Sequence, residues 1–275
     1  MKKYSKAYIE ITNVCNLSCR FCPKTKRKPQ MMSVENFQKV IIAIDNLTDY
    51  VYFHVLGEPT IHPDLAEFVK IANDKNKKIT ITTNGTNLSV LSDILESQPL
   101  YKVNISLQAV GANDGIDVQN YMKNTLEFAQ NATEKGVIVV LRLWNEGSEF
   151  NRNNEIIAEI ESRFGKVEFG EKDSVTLSKR LFLERADEFQ WRCDDEKTTL
   201  FCYGLRDQFA ILVDGTVVPC CIDGECEIPL GNIFEENLAE ILDGERAKAI
   251  VDGFNKKTAI ENRCRHCGYA RRFKV

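Results

Sequence analysis

From residue 7 to about residue 170, short β-rich runs alternate with stretches whose apolar residues recur at helical spacing. The runs are AYIEIT (7–12), YVYFHV (50–55), KKITITT (77–83), KVNISL (102–107), VIVVLRL (137–143) and the weaker KVEF (166–169). The clearest helix is predicted over Ser33–Leu47, where Ser33 is an N-cap and Phe37, Val40, Ile41 and Ile44 share one face. Similar patterns predict helices over Asp64–Asn73, Asp93–Ser97, Asp117–Lys135 and Asn154–Phe164. Six strand–helix repeats imply parallel strands joined by right-handed crossovers, an α/β fold. That is short of the eight repeats of a closed barrel, so an open partial (β/α)6 barrel over residues 1–170 is expected. In such a fold ligands gather at the C-terminal ends of the strands. Cys15–Cys22, Gly57-Glu58-Pro59 and Asn84-Gly85 all fall there.

Beyond residue 170 the rhythm changes. Residues 171–200 read as a polar connector, and 201–275 as a small hairpin-plus-helices module. Phe209–Val213 and Thr216–Pro219 flank Asp214-Gly215, a short-hairpin signal. Helices at Leu238–Leu242 and near Glu245–Phe254 precede a Cys264–Cys267 knuckle.

Composition narrows the function classes. Hydrophobic residues at 43% and charged residues at 28% suit a globular chain with a sizeable core. The net charge of −4 carries no basic stripe, which argues against nucleic acid as a partner. Lys24–Lys28 (KTKRK) is a local exception, read as a solvated loop ahead of a phosphate contact. Neither a membrane span nor a secretory apolar run is visible, so a cytoplasmic protein is expected. Ten cysteines in that compartment point to metal ligation before disulfides.

Three of them form CxxxCxxC in the loop after the first strand: Cys15, Cys19 and Cys22. A loop of this length lets three thiolates converge on an iron–sulfur cube, and with no fourth cysteine nearby one iron keeps an open position. Structural zinc would want four ligands, and no local residue completes the set. The spacing, with Phe21 before the third cysteine, resembles the signature of the radical S-adenosylmethionine (radical SAM) superfamily, and the likeness extends over about residues 8–170. The resemblance implies a [4Fe–4S] cluster whose open iron binds SAM. It also implies reductive cleavage to a 5′-deoxyadenosyl radical, and an electron donor such as flavodoxin or ferredoxin. It assigns Gly57 and Glu58 to the methionine amino group, Asn84, Ser106 and Gln108 to the ribose and carboxylate side, and Arg142 to the SAM carboxylate. His54, just before the Gly-Glu-Pro loop, reads either as facing the cavity near SAM or as a satisfied core histidine. His62 flanks the same loop, and His266 reads as a spacer.

Cys202, Cys220, Cys264 and Cys267 form a second set, two from the hairpin region and two from the terminal knuckle. They suit a second [4Fe–4S] cluster or a tetrahedral zinc, with the cluster preferred. The arrangement resembles the Twitch module, a shortened relative of the SPASM domain. Cys193, Cys221 and Cys226 are left over; Cys221 and Cys226 are alternatives to Cys220 as ligands, and the plainer reading makes them ordinary thiols.

The substrate is expected to be a small molecule. FHVLGEP (53–59) and the Cys202–Cys220 spacing resemble 2-deoxy-scyllo-inosamine dehydrogenase, while size and layout resemble queuine lyase. The lyase reading, release of a 7-deazaguanine base, is the favoured specific expectation. It makes Trp144, Glu146, Asp223 and Glu227 candidates for holding the base. Oxidation of an alcohol or amino sugar, and peptide modification, are the alternatives.

Overall fold

The computed structural model describes residues 3–188 and 190–273. Ten strands run in chain order: β1 (Lys6–Ile9), β2 (Tyr50–Phe53), β3 (Lys78–Thr83), β4 (Lys102–Ser106), β5 (Ile138–Glu146), β6 (Ser174–Ser178), β7 (Leu181–Asp187), β8 (Gln208–Ile211), β9 (Thr216–Val218) and β10 (Gly231–Asn232). They join one sheet in the order β10-β9-β8-β1-β2-β3-β4-β5-β7-β6. From β1 to β5, and on to β7, every neighbouring pair is parallel. The helices α1 (Val34–Ala43), α2 (Leu65–Asp74), α3 (Leu88–Leu95), α4 (Val118–Glu134) and α5 (Asn153–Phe164) are the crossovers. Among the described residues no helix is long and apolar enough to cross a membrane.

The expected strands and helices are present with one substitution. The sixth parallel strand is not KVEF (166–169), which runs outside the sheet. Gly165 ends α5, and the chain then passes through β6 before β7 takes the place beside β5. Leu181 and Leu183 are fully buried there, so period-two burial fixes β7 although Glu184, Arg185 and Asp187 made it read as connector. Helix α3 also begins a turn and a half before Asp93, because Leu88 and Leu91 are the residues it buries.

The strands are two-faced. Ala7, Ile9, Val51, Phe53, Ile79, Ile81, Val103, Ile105, Val139 and Leu141 are buried, under the helices. On α1 the Ser33 hydroxyl accepts from the Asn36 amide at 3.2 Å, and Phe37 stacks on Phe68 with 4.3 Å between centroids. The lumen face is polar. Register aligns Tyr8, Tyr52, Thr80 and Lys102 in one row, and Ser106, Arg142 and Glu184 in another. A closed barrel fills its interior with branched aliphatics; this one keeps a polar hollow.

The C-terminal region extends the same sheet. β8 pairs in parallel with β1, Lys6 opposite Gln208 through Ile9 opposite Ile211, and β9 folds back antiparallel across Asp214-Gly215. Helices α6 (Leu238–Leu242), α7 (Glu245–Asn255) and α8 (Asn262–Arg265) follow, the last bringing Cys264 and Cys267 back to the hairpin.

Candidate active site

The loop after β1 carries Cys15, Cys19 and Cys22 along one wall of a cavity of about 420 Å³. Amides point at all three sulfurs. The Leu17 amide donates to Cys15 Sγ at 3.4 Å, the Lys24 amide to Cys22 Sγ at 3.4 Å, and Asn113 Nδ2 to Cys19 Sγ at 3.1 Å. Burial first, with Glu58 and Cys22 at Cys15 and the other two thiols at Cys19, pushes the three thiols above their ordinary pKa, and these donors oppose the rise. A set of soft donors supported by N–H groups fits an anionic iron–sulfur cluster, whose sulfurs need such bonds. Among the described residues no three Cys, His, Asp or Glu side chains converge on the single point a mononuclear ion needs.

Two loops are latched to this wall. Gly57 sits at φ +75, and a Cβ there would lie 2.3 Å from the Thr12 carbonyl oxygen, so only glycine lets the loop press against the β1 exit. The next amide, Glu58, donates to the Val14 carbonyl at 2.8 Å. The Glu58 carboxylate is buried and spoken for: one oxygen accepts from the Thr60 amide and hydroxyl, the other from the Asn84 amide at 2.7 Å. It therefore ties the second strand's loop to the third's while lining the cysteine cavity. Asn84 Nδ2 reaches Asn16 Oδ1 at 2.8 Å, and its carbonyl accepts from the Tyr121 hydroxyl at 2.8 Å. Cys15, Glu58, Asn84 and Ser106 thus share one cavity, as the sequence reading expects.

A second cavity of about 400 Å³ lies deeper in the lumen. Phe21, His54, Thr82, Ser106 and Trp191 line both, so the two are continuous along that wall. His54 faces the cavity; desolvation, then Arg142 and Lys6, hold its pKa down to about 4, so the ring is neutral. Gln108 and Arg142 line the deeper cavity, not the cysteine cavity where the SAM contacts were expected. Arg142 lies 3.7 Å from Glu184 and stacks over Trp144 at 4.4 Å. Trp144 lines the cavity, and Glu146 reaches Arg185 at 3.8 Å. Asp223 and Glu227 are engaged elsewhere: Asp223 caps the Glu227 and Ile228 amides, both at 2.9 Å, and Glu227 pairs with Arg192 and Arg263. Neither lines the hollow as a base-binding role would require. His62 is a core residue bonded to the Met32 carbonyl, and His266 bonds the Cys193 carbonyl as a spacer.

Cys202, Cys220, Cys264 and Cys267 gather behind this cavity. Burial, then the nearby Cys202, Cys221, Cys267 and Cys264, push the Cys220 thiol well up. The Gly204 amide donates to Cys202 Sγ at 3.4 Å. Thiols crowded out of water in this way are stable as metal thiolates.

The family pattern described as the radical SAM superfamily matches residues 9–145, and that of an iron–sulfur cluster-binding SPASM domain matches residues 202–268. The chain belongs to the radical SAM superfamily. Its cofactors are [4Fe–4S] clusters and SAM, and the iron–sulfur character of the second domain favours a cluster over zinc there. Among curated relatives, a GTP 3′,8-cyclase of Actinobacillus pleuropneumoniae serotype 3 (strain JL03) is 27% identical over half of this chain and 40% of its own length. The sporulation killing factor maturation protein SkfB of Bacillus subtilis (strain 168) is 22% identical over 85% of this chain and 63% of its own. A solved structure of BtrN in complex with AdoMet and 2-DOIA superposes with a TM-score of 0.60, at 18% identity, covering 94% of this chain and 89% of that one. These likenesses support a radical SAM enzyme of SPASM type and lend nothing to the queuine expectation.

Several lumen residues escaped the sequence reading: Lys6, Tyr8, Tyr52, Lys102, Asn104, Trp191, Cys221 and Tyr269. The signal was present. Lys6-Tyr8, Tyr52-His54 and Lys102-Asn104-Ser106 repeat polar or aromatic residues at every second position of strands that a doubly covered parallel sheet would make apolar throughout.

Proposed function

We propose that this radical SAM enzyme oxidises a small hydroxylated or aminated substrate held in the lumen between two clusters. The observation that carries the reading is the make-up of the deeper cavity. Its upper wall is shared with the cysteine loop, and its far wall includes Cys221, Ile222 and Tyr269 of the C-terminal module. Cys221 directly follows Cys220 in the chain. A molecule in this space touches both halves of the machinery.

In this reading Cys15, Cys19 and Cys22 hold the first cluster, and Cys202, Cys220, Cys264 and Cys267 saturate the second. When bound, the first cluster and SAM supply a hydrogen-abstracting adenosyl radical, and the second cluster supplies an electron acceptor. Gly57, Asn84 and Ser106 shape the SAM side, with Glu58 ordering their loops. His54, kept neutral, and Gln108 face the substrate, and the aromatic walls exclude water. A second set with no free coordination position suits electron acceptance rather than substrate ligation, which favours oxidation over fragmentation.

The test is anaerobic turnover with dithionite and SAM across alcohols, amino sugars and queuine. Formation of 5′-deoxyadenosine together with an oxidised alcohol or amino sugar is expected. Release of a deazaguanine from queuine would restore the lyase reading, and absence of any SAM cleavage would remove the radical chemistry itself.

A further inference from the structure

The deeper cavity is lined by more cations than carboxylates. Lys6 and Lys102 open β1 and β4, the strands whose later residues line the substrate space. With Arg142 they give the hollow three cations, against Glu188 as the lining carboxylate. Among the described residues neither lysine ammonium makes a hydrogen bond or an ion pair. Lys6 Nζ lies over the rings of Tyr8 and Tyr52, at 5.4 and 5.2 Å from their centroids. Arg142 Nε is buried without a hydrogen bond, and Glu184, at 3.7 Å from it, is its nearest acid. Burial lowers the pKa of both lysines; Arg142 lowers both further, and Lys6 lowers that of Lys102. Cys221, ahead of Arg142, and then Asp207 offset this at Lys6, and Glu184 offsets it at Lys102.

Mutually repelling cations held in a half-closed space are a standing demand for an anion. Two more groups extend the pattern. Asn104 Oδ1 and Gln108 Oε1 are buried in the same lining and accept nothing. Each asks for an O–H or N–H donor from whatever fills the cavity.

We propose that Lys6, Lys102 and Arg142 form an anion subsite, so that the substrate is a hydroxylated or aminated compound bearing a carboxylate or phosphate. The inference rests on the reading that the substrate occupies this lumen. The anion lies between the lysines that open β1 and β4 and Arg142 farther along β5, and the hydroxyl or amine groups run past Asn104 and Gln108. The reacting carbon then reaches the wall shared with the cysteine cavity. Charge-assisted contacts of this kind fix orientation as well as affinity.

Anaerobic calorimetry on the reconstituted holoenzyme with SAM, in chloride-free buffer, measures binding of inorganic phosphate and of acetate separately. One of the two is expected to bind, identifying the preferred anion. Lys102→Gln and Lys6→Gln, which remove the charge but keep a polar side chain, are each expected to weaken it by about tenfold. In turnover assays a polyol phosphate or hydroxy acid is expected to raise 5′-deoxyadenosine formation above the level given by the uncharged polyol, and Lys102→Gln to raise KM more than it lowers kcat. Wild-type affinity retained in both variants, or stimulation by neutral and cationic compounds alone, overturns the subsite. Failure of the underlying reading looks different: SAM is then not cleaved under dithionite, whether or not phosphate binds.

Discussion

The two thiol sets are built differently: the first lines the cysteine cavity, and the second lies next to Cys221 of the deeper one. Cys15, Cys19 and Cys22 lie on a loop, Cys15 is exposed, and backbone or side-chain amides address each sulfur. The C-terminal four come from a hairpin and a knuckle, with Cys267 buried and Cys220 surrounded by other thiols. In the proposed reading, a set of three with amide-tuned sulfurs and one exposed thiol suits a cluster that must take a ligand and an electron. A set of four suits one that only accepts electrons and braces the fold. The number of thiols is then what separates the two roles.

The largest expected effect lies in that contrast. Alanine at Cys19 should abolish SAM cleavage and remove about four irons while the module keeps its own. Alanine at Cys220 should remove about the same number, leave uncoupled SAM cleavage measurable, and stop product formation. Iron and sulfide counts beside 5′-deoxyadenosine yields read both; equal loss of cleavage in the two variants would mean the clusters are not divided in this way.

A smaller effect concerns the joint between the two regions. Glu10, fully buried, accepts from Arg27 at 2.6 and 2.7 Å and from the Val213 amide at 3.1 Å, joining the cysteine loop to the hairpin module. Burial pushes the Glu10 pKa up and the Arg27 contacts oppose it. Arg27→Met leaves that carboxylate unpaired and should cost about 3–5 kcal/mol, seen as a lower anaerobic melting temperature. A Glu10→Gln, Arg27→Met double variant should recover part of the loss.

The smallest effect is a pH slope at the shared wall. His54 titrates near pH 4 when folded and near its ordinary value of 6.5 when unfolded. The unfolded chain therefore binds the extra proton between those values, so stability falls as pH drops from 6.5 toward 4. His54→Gln should flatten melting temperature across that window.

Much of this was legible in the chain. Cys15–Cys22, Gly57-Glu58-Pro59 and Asn84-Gly85 could be placed because each follows a strand with clear β character. Residues 181–187 could not, because a strand with one buried and one charged face next to a polar stretch looks like a linker until a partner is known. The lumen was missed for a related reason. The alternation at Tyr8, Tyr52 and Lys102 marks a polar face, and the register then aligns it across the strands as the inward side. Arg142 was assigned to SAM by its place at a strand, whereas its contacts with Glu184 and Trp144 belong to the deeper space. Asp223 and Glu227 were promising by residue type, and backbone capping and arginine pairing had already claimed them.

The parallel pairing of β8 with β1 also bears on how the chain is made. β1, which leads into the first cysteine loop, is synthesised well before its partner β8, and its outer edge is covered only when residues 208–211 arrive. Until then that edge offers unpaired amides and carbonyls to any strand nearby. A nascent or truncated chain ending before residue 208 would carry the cysteine loop beside an open sheet edge, prone to pair with its own copies.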